Sequence, residues 1–301
     1  MMAKMKPFQY LAPIAAFEYV TPKDVDELLN ELSQHGSKAK LIAGGTDLTI
    51  ALKERLTRPE VIIDLNHLRS KLSGIEVTDT SLKIGSMTTY TEVERNPNVQ
   101  RYARALSEAA SQVGTFQIRN LGTIGANLAN GSPAADTAPP LIVHSAKVNL
   151  RNKHGERKMS VEDFITGVKK TAIQPDELIT YVEVPLNESL SSYWMRAAKR
   201  NENVISVVSV AVASEIRGNS FGNSKISLGA VAPTPILAKK SSSRLTGSSI
   251  SDETIEEVAK LAKEECEPIT DVRASAGYRR HLVQVLTKRT IRKVTTLGGS
   301  A

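Results

Sequence analysis

Residues 39–66 hold the pattern that most restricts what this chain can fold into: an apolar run ending in two glycines, "AKLIAGG", then "TDLTIALKERL", then a second apolar run, "EVIIDLN". The order reads as strand, glycine turn, helix, strand. A crossover of this length joins parallel strands, so the segment predicts a βαβ unit and a small α/β layer. Just upstream, "TPKDVDELLNELSQHG" predicts an amphipathic helix: Thr21 caps, Pro22 takes the first helical position, Val25, Leu28, Leu29 and Leu32 share one face, and Gly36 stops it.

Gly44 and Gly45 fit two readings. A strand that ends in glycines and opens a helix presents unpaired N–H groups where the helix dipole favours negative charge, which makes a cradle for a pyrophosphate that approaches too closely for a Cβ. The same residues also fit a tight βα turn with Thr46 or Asp47 as N-cap. A second loop, "NLGTIGANLANGSPAAD", bears on the choice, with Thr123 between Gly122 and Gly125, then Asn127, Gly131, Ser132 and Asp136. It reads as too polar and too conformationally special for a core element, hence as a connector or a binding surface. Two such loops can grip an extended ligand, glycine amides taking phosphates while Thr123, Ser132 and Asp136 meet sugar hydroxyls.

The remaining sequence supplies the frame. "GIEVTD" and "SLKIGSMT" read as short strands, and the stretch from "TYTEVERNPNVQ" to "YARALSEAASQVG" reads as a helix broken at Pro97. "AKVNLRNKHGERKMSVEDF" alternates like a hairpin turning at Gly155, and "ELITYVEVP" reads as a strand. A polar connector over residues 186–192 suggests a boundary. Beyond it, two antiparallel strands, "NVISVVSVAVASEI" and "SKISLGAVAP", precede two helices.

Several chemistries find no support. The single cysteine, Cys266, leaves no internal disulfide and no cysteine-ligated iron–sulfur cluster held by this chain alone. The five histidines, His35, His67, His144, His154 and His281, lack ligand spacing and read as surface or cap residues. "GNSFG" matches a nucleophile elbow around Ser220, but it lies between two strand candidates, where such a composition is a hairpin loop. The net charge is +7 and most of the charge is dispersed; the exception is "RASAGYRRHLVQVLTKRTIRK", which has seven basic and no acidic residues but few of the aromatic residues that stack on single-stranded nucleic acid. The start, "MMAKMKPFQY", lacks the apolar core of a signal peptide and no run of eighteen apolar residues occurs, so no membrane span and a cytoplasmic location are expected.

The pair "AGGTDL" and "TIGANLANGSPAAD" resembles the FAD-binding subunit of the molybdenum-containing hydroxylases, the family of the xanthine dehydrogenase flavin domain and the carbon monoxide dehydrogenase medium chain. "LGAVAPTP" (228–235) and "DVRASAGYRRHL" (271–282) are similar to hallmarks of its C-terminal domain, so the resemblance covers almost the whole chain. It implies an α+β fold: a vanillyl-alcohol-oxidase-type (PCMH-type) FAD-binding domain, residues 8–187, of two α/β subdomains (8–66 and 67–187). A C-terminal α+β domain with an antiparallel sheet and helices, residues 190–296, follows.

Carried over by position, the resemblance implies that Leu41, Ile42, Ala43, Gly44, Gly45, Thr46, Asp47 and Leu48 wrap the FAD diphosphate. Thr123, Gly125 and Asn127 form the second phosphate loop, Asp136 holds a cofactor hydroxyl, and Ile179 lies against the flavin or adenine. Family members carry a lysine and, four residues on, an arginine that reach FAD. Here "WMRAAKR" has Arg196 and Arg200 at that spacing, with Lys199 close by, so either Arg196 or Lys199 is the candidate. Ala126 replaces a glycine usual in the family. The resemblance further implies electron transfer through FAD, with no metal and no catalytic acid or base in this chain. A large molybdenum-cofactor subunit and a small [2Fe–2S] subunit are the implied partners, in a dimer of heterotrimers, and no nucleic acid is implied. A self-contained FAD oxidase or reductase of the same fold is the alternative.

Overall fold

The computed structural model describes residues 14–299; the segment "MMAKMKPFQY" and the first residues of the expected 8–187 domain lie outside the described residues. Three strands, β1 (Glu18–Val20), β2 (Ala39–Ile42) and β3 (Val61–Asp64), form a parallel sheet in the order β1-β3-β2. The helix Val25–His35 links β1 to β2 and the helix Leu48–Lys53 links β2 to β3. The expected βαβ unit is present, and β1 extends it by a strand too short and too exposed for its pattern to be read. Asp24, not Thr21, caps the first helix: its side chain accepts the Glu27 amide at 2.8 Å, which leaves Thr21 and Pro22 outside. Gly36 ends it in the left-handed region, φ 52°. Leu28, Leu29 and Leu32 bury against Ile63, Leu65 and Leu68.

The second sheet is antiparallel. Its strands β4 (Ile75–Val77), β5 (Ser81–Gly85), β6 (Lys147–Asn152), β7 (Gly155–Ser160) and β10 (Leu178–Pro185) lie in the order β4-β5-β10-β6-β7, with a small β8 (Ile165–Gly167) and β9 (Lys170–Thr171) hairpin alongside. Leu82, Ile84, Val148, Leu150, Val182 and Val184 bury against short helices. Pro97 starts one of these, Pro97–Tyr102, as expected, and Ala103 makes a second break before Arg104–Ser111. Contrary to the expectation of a loop outside the core, residues 116–129 form the helices Phe116–Leu121 and Ile124–Ala129, and Ile124, Leu128 and Ala135 lie in the core. Helices of six residues held mainly by tertiary contacts leave little periodic signal.

The connector after β10 is shorter than expected, because β11 (Leu190–Ala197) already begins within it. With β12 (Val208–Arg217), β13 (Ser220–Gly229) and β14 (Ile236–Leu237) it forms an antiparallel sheet of four strands rather than two. Ser220 sits at the β12–β13 hairpin, where its hydroxyl donates to the Arg217 carbonyl at 2.9 Å, so it is a turn residue and not an elbow nucleophile. The helices Asp252–Glu265 and Ala276–Gly298 cover this sheet. Their packing pairs Lys288 with Glu256 at 2.9 Å and Arg292 with Asp252 at 2.7 Å, so the basic C-terminal stretch is partly neutralised by its neighbour. No helix among the described residues is long and apolar enough to cross a membrane.

A compact joint ties the third sheet to the second layer of helices. Trp194 of β11, 1% exposed, packs on Ala105, Ala109, Val143, Ala211 and Ala213. Beside it the Ser192 hydroxyl accepts the Ala105 amide at 3.0 Å and meets His144 Nε2 at 2.9 Å. His144 is the C-cap of the helix Ala138–Val143, one of the two expected places, but it is buried and not on the surface. Burial first, and the Lys225 ammonium second, pull its imidazole from 6.5 down to about 4. A group whose pKa is lowered by folding contributes stability present above its unfolded value and lost as pH falls through the folded one. The contribution of His144 is thus complete above about 6.5 and disappears by about 4. His144→Gln keeps a polar partner for Ser192 without the titration. Urea midpoints measured across pH 7 to 4 should fall less steeply for the variant; parallel profiles would contradict this account.

Candidate functional site

β2 delivers the first loop to the junction of the two N-terminal sheets. The Ile42 carbonyl accepts the Leu65 amide at 2.9 Å, and Asn66, held by Asp64 at 2.7 Å, donates to the Ala43 carbonyl at 3.3 Å. These bonds fix Leu41, Ile42 and Ala43 as the rigid approach to the turn. Gly44 follows, and a Cβ on it would stand 1.8 Å from the Leu121 carbonyl oxygen. Gly45 has φ +68°, and its Cβ would meet Thr49 Oγ1 at 3.2 Å. The two glycines thus serve different needs: Gly44 lets the second loop close on the first, and Gly45 adopts a left-handed conformation. Room for a ligand is not what removes either side chain.

The turn still leaves donors open. The Gly45 and Asp47 carbonyls accept the Thr49 and Ala51 amides, but the five amides from Gly44 through Thr46 and Asp47 to Leu48 have no acceptor among the described residues. Asp47 precedes the helix Leu48–Lys53 without a side-chain capping bond. A run of unpaired N–H groups around a left-handed glycine forms a concave donor array suited to an anion.

The second loop is built differently. Its backbone pairs with residues 86–90: Tyr90 N donates to Gly122 O at 3.1 Å, Ile124 N to Thr88 O at 3.0 Å and Gly125 N to Ser86 O at 2.9 Å. Thr123 bridges Thr89 and caps the following helix by accepting the Ala126 amide at 3.3 Å. Gly125 is buried, its amide already taken, and a Cβ there would stand 2.6 Å from Ser86 Cβ, so it works as a packing residue. Ala126 is helical and exposed, which is why a methyl replaces glycine there without strain. Asn127 accepts the Thr137 hydroxyl at 2.6 Å, and Ser132 accepts the Ala134 amide at 3.3 Å. Ile179 lies in β10, 4% exposed, within the core of the second sheet.

Tyr90 joins these pieces, and sequence reasoning missed it. Its ring lies where a Gly122 side chain would project, 2.6 Å from the position of that Cβ. Burial, then the negative fields of Asp47 and Asp136, raise its hydroxyl pKa, while Asn127 lies within hydrogen-bonding reach. The phenol is therefore a neutral group that touches the fields of both loops. The signal available was "TYTE": Thr89 and Glu92 form a capping box, which fixes where Tyr90 enters the helix.

Asp136 closes the far side. Ser206 donates to its Oδ1 at 2.6 Å and Arg196 Nη1 to its Oδ2 at 3.1 Å, both from the C-terminal unit. Burial pushes its carboxyl up to about 6, against the opposing pull of Ser206 and Arg196. Arg196 also donates to the Asn201 carbonyl at 3.0 Å. Lys199 turns elsewhere, donating to the Val272 carbonyl at 2.8 Å. Of the two candidate cations, Arg196 is thus the one brought to Asp136.

Residues 15–187 match the family described as the FAD binding domain in molybdopterin dehydrogenase, and residues 193–294 match the CO dehydrogenase flavoprotein C-terminal domain. The chain belongs to this family. It is 32% identical over 275 residues to the carbon monoxide dehydrogenase medium chain of Hydrogenophaga pseudoflava, covering 91% of this chain and 96% of the relative. A putative xanthine dehydrogenase FAD-binding subunit of Escherichia coli is 32% identical over 265 residues, 87% of this chain and 90% of the relative. The crystal structure of quinoline 2-oxidoreductase from Pseudomonas putida 86 superposes with a TM-score of 0.90 at 28% identity, covering 95% of this chain and 99% of that one. As a member of the family the chain is an FAD-binding oxidoreductase component. The five unpaired amides of the first loop suit the FAD diphosphate, so the residues present fit the cofactor.

The Asp136 carboxyl gives this site a pH signature. Because folding raises its pKa from 3.8 to about 6, its contribution is complete below about 3.8 and lost as pH rises through about 6. Asp136→Asn removes the titration, while leaving Arg196 without its anion as a constant penalty. The unfolding free energy of wild type relative to the variant should therefore drop as pH rises from about 4 to about 6, by on the order of 3 kcal/mol for two pKa units, and stay level above. A difference that does not change with pH would overturn the assignment.

Proposed function

We propose that this chain is the flavin junction of a molybdenum hydroxylase, taking electrons from iron–sulfur clusters and handing them to a terminal acceptor. The observation that carries the reading is the donor array at Gly44–Leu48, whose Asp47 acts with Asp136 on the Tyr90 hydroxyl. In it the first loop holds the diphosphate through backbone N–H groups. Asn127 and Ser132 offer polar groups along the second loop. Asp136 has two oxygens with one protein donor each, which leaves lone pairs for a cofactor hydroxyl. Thr123 and Gly125 set the loop's shape, and Ile179 gives the buried wall behind it. Arg196 holds Asp136 ionised at neutral pH and so keeps it an acceptor.

Bound FAD supplies the redox chemistry, accepting electrons singly and delivering them in pairs. The chain's own residues bind, orient and exclude water, and none is assigned as acid, base or nucleophile. In this reading residues 8–187 form the cofactor domain and 190–296 a second domain that supplies Arg196, Lys199 and Ser206. The partners are a large molybdenum-cofactor subunit and a small [2Fe–2S] subunit, assembled as a dimer of heterotrimers in the cytoplasm. The relatives named as medium chains and FAD-binding subunits support this assignment.

The first test is spectral. The full chain, purified with its co-expressed partner subunits, should carry a yellow chromophore released as FAD; a colourless complex that takes up no added FAD would sink the reading. The second test separates conformation from room at Gly45. Asn tolerates the left-handed region and valine does not. Gly45→Asn should retain most of the FAD and Gly45→Val should lose at least about 90% of it, a factor of ten corresponding to about 1.4 kcal/mol. Equal loss in both would mean that space, and not backbone conformation, is what the glycine provides.

A further inference from the structure

Tyr90 carries more chemistry than its packing needs. It is 4% exposed, and its ring lies 2.6 Å from where a Gly122 Cβ would stand, so the ring fills the space against the second loop. The backbone around it is fixed from both sides. Thr89 and Glu92 form the capping box that starts its helix, Arg69 holds Glu92 at 2.9 Å, and Tyr90 N donates to the Gly122 carbonyl at 3.1 Å. A phenylalanine would meet all of these demands. The hydroxyl adds a polar group that loses its water on folding, and no acceptor among the described residues takes its proton. A buried hydroxyl in that state costs stability until an acceptor reaches it.

The direction of the hydrogen bonds around the phenol shows that its proton is the part left over. Thr137, fully buried, donates its hydroxyl proton to Asn127 Oδ1 at 2.6 Å. With Oδ1 taken in this way, Nδ2 is the part of the Asn127 amide that meets the phenol, as a donor. That is why Asn127 pulls the Tyr90 pKa down, while burial and the charges of Asp47 and Asp136 push it up. The upward effects win, and Tyr90 stays a neutral phenol. Its oxygen accepts from Asn127, and its own O–H is the last donor of a relay that begins at Thr137. Neither carboxylate takes that proton: the Asp136 oxygens accept from Ser206 and Arg196, and Asp47 acts on the phenol through charge alone. Asp47 lies within the run of unpaired amides, so the free O–H and the free N–H groups are offered to the same neighbourhood. Donors with no protein acceptor suit an oxygen anion, with which an O–H forms a short, charge-assisted bond.

We propose that the Tyr90 hydroxyl is a cofactor-binding donor, positioned by Asn127 and Thr137 to give a hydrogen bond to a diphosphate oxygen of FAD. The proposal rests on the flavin reading above and adds a side-chain donor from the second loop's side to the backbone donors of the first. The test uses the full chain in complex with its co-expressed partner subunits, stripped of FAD and titrated with FAD or with ADP, which carries the diphosphate without the flavin. Tyr90→Phe keeps the ring against Gly122 and removes only the hydroxyl. It should weaken FAD and ADP binding alike, by about 10- to 100-fold, as for a hydrogen bond to a charged group. The melting temperature of the FAD-free complex should stay level or rise slightly, and a 31P resonance of the bound diphosphate should shift. Thr137→Val frees Asn127 Oδ1 to take the Tyr90 proton and should weaken FAD in the same direction by a smaller factor; a wild-type value there overturns the relay. Wild-type FAD affinity in Tyr90→Phe overturns the donor while the flavin reading stands. Weakened FAD with unchanged ADP overturns the diphosphate as its acceptor, and a lowered melting temperature of the FAD-free variant makes the hydroxyl a structural group instead. A wild-type complex that takes up no FAD overturns the flavin reading as well.

Discussion

The missing side chain of Gly44 lets the end of β2 close on the Leu121 carbonyl, and this contact sets how the two N-terminal sheets face each other. Any Cβ there would overlap backbone, which cannot move aside as a flexible side chain can. From that approach the rest of the site follows. Gly122, next in the chain, receives the Tyr90 ring, and the Tyr90 backbone pairs with Gly122 in return. With the second loop pressed against the first, the Tyr90 hydroxyl feels the charges of Asp47, within the run of unpaired amides, and of Asp136, on segments far apart in sequence.

Two polar joints bind the C-terminal unit to this arrangement, and burial governs both. At one, Asp136 meets Arg196 and Ser206; at the other, His144 meets Ser192. Removal from water favours the neutral form of each group, which raises the carboxyl and lowers the imidazole. At neutral pH the two behave differently. His144 is neutral and satisfied by a hydroxyl, whereas Asp136 carries a charge that Arg196 must balance, since a buried carboxylate without a partner costs several kcal/mol. The charged joint therefore sits where a cofactor can use its remaining lone pairs, and the neutral one lies beside the apolar contact of Trp194.

Much of the scaffold was legible because its signals are local. The apolar runs of β2 and β3 and the spacing of Leu28, Leu29 and Leu32 determine a parallel pair and the face of a helix without outside information. The cap was misplaced by three residues, since Thr21 and Asp24 are both good N-caps and only the observed bond decides between them. The helices within residues 116–129 stayed hidden, because their stability comes from pairing with residues 86–90 and from burial of Ile124 and Leu128. The glycines could be seen as special from sequence, but not for what: three of them accommodate other parts of this chain, and only geometry separates that need from room for a ligand. The family resemblance pointed to the cofactor, and Tyr90 lay outside the motifs that carried it.

A division of labour results between side chains and main chain. The side chains around the site are engaged with one another: Thr123 with a helix start, Asn127 with Thr137, Ser206 and Arg196 with Asp136, Lys199 with the 272 carbonyl. The groups still open to a ligand are mostly backbone N–H donors, which neither ionise nor change conformation over the pH range in which the carboxyl and imidazole titrate. Donors of this kind suit an anion with a strength that does not vary with pH, whereas the Asp136 carboxyl beside them changes protonation at about 6. Backbone donors of this kind suit a chain that binds and positions its cofactor.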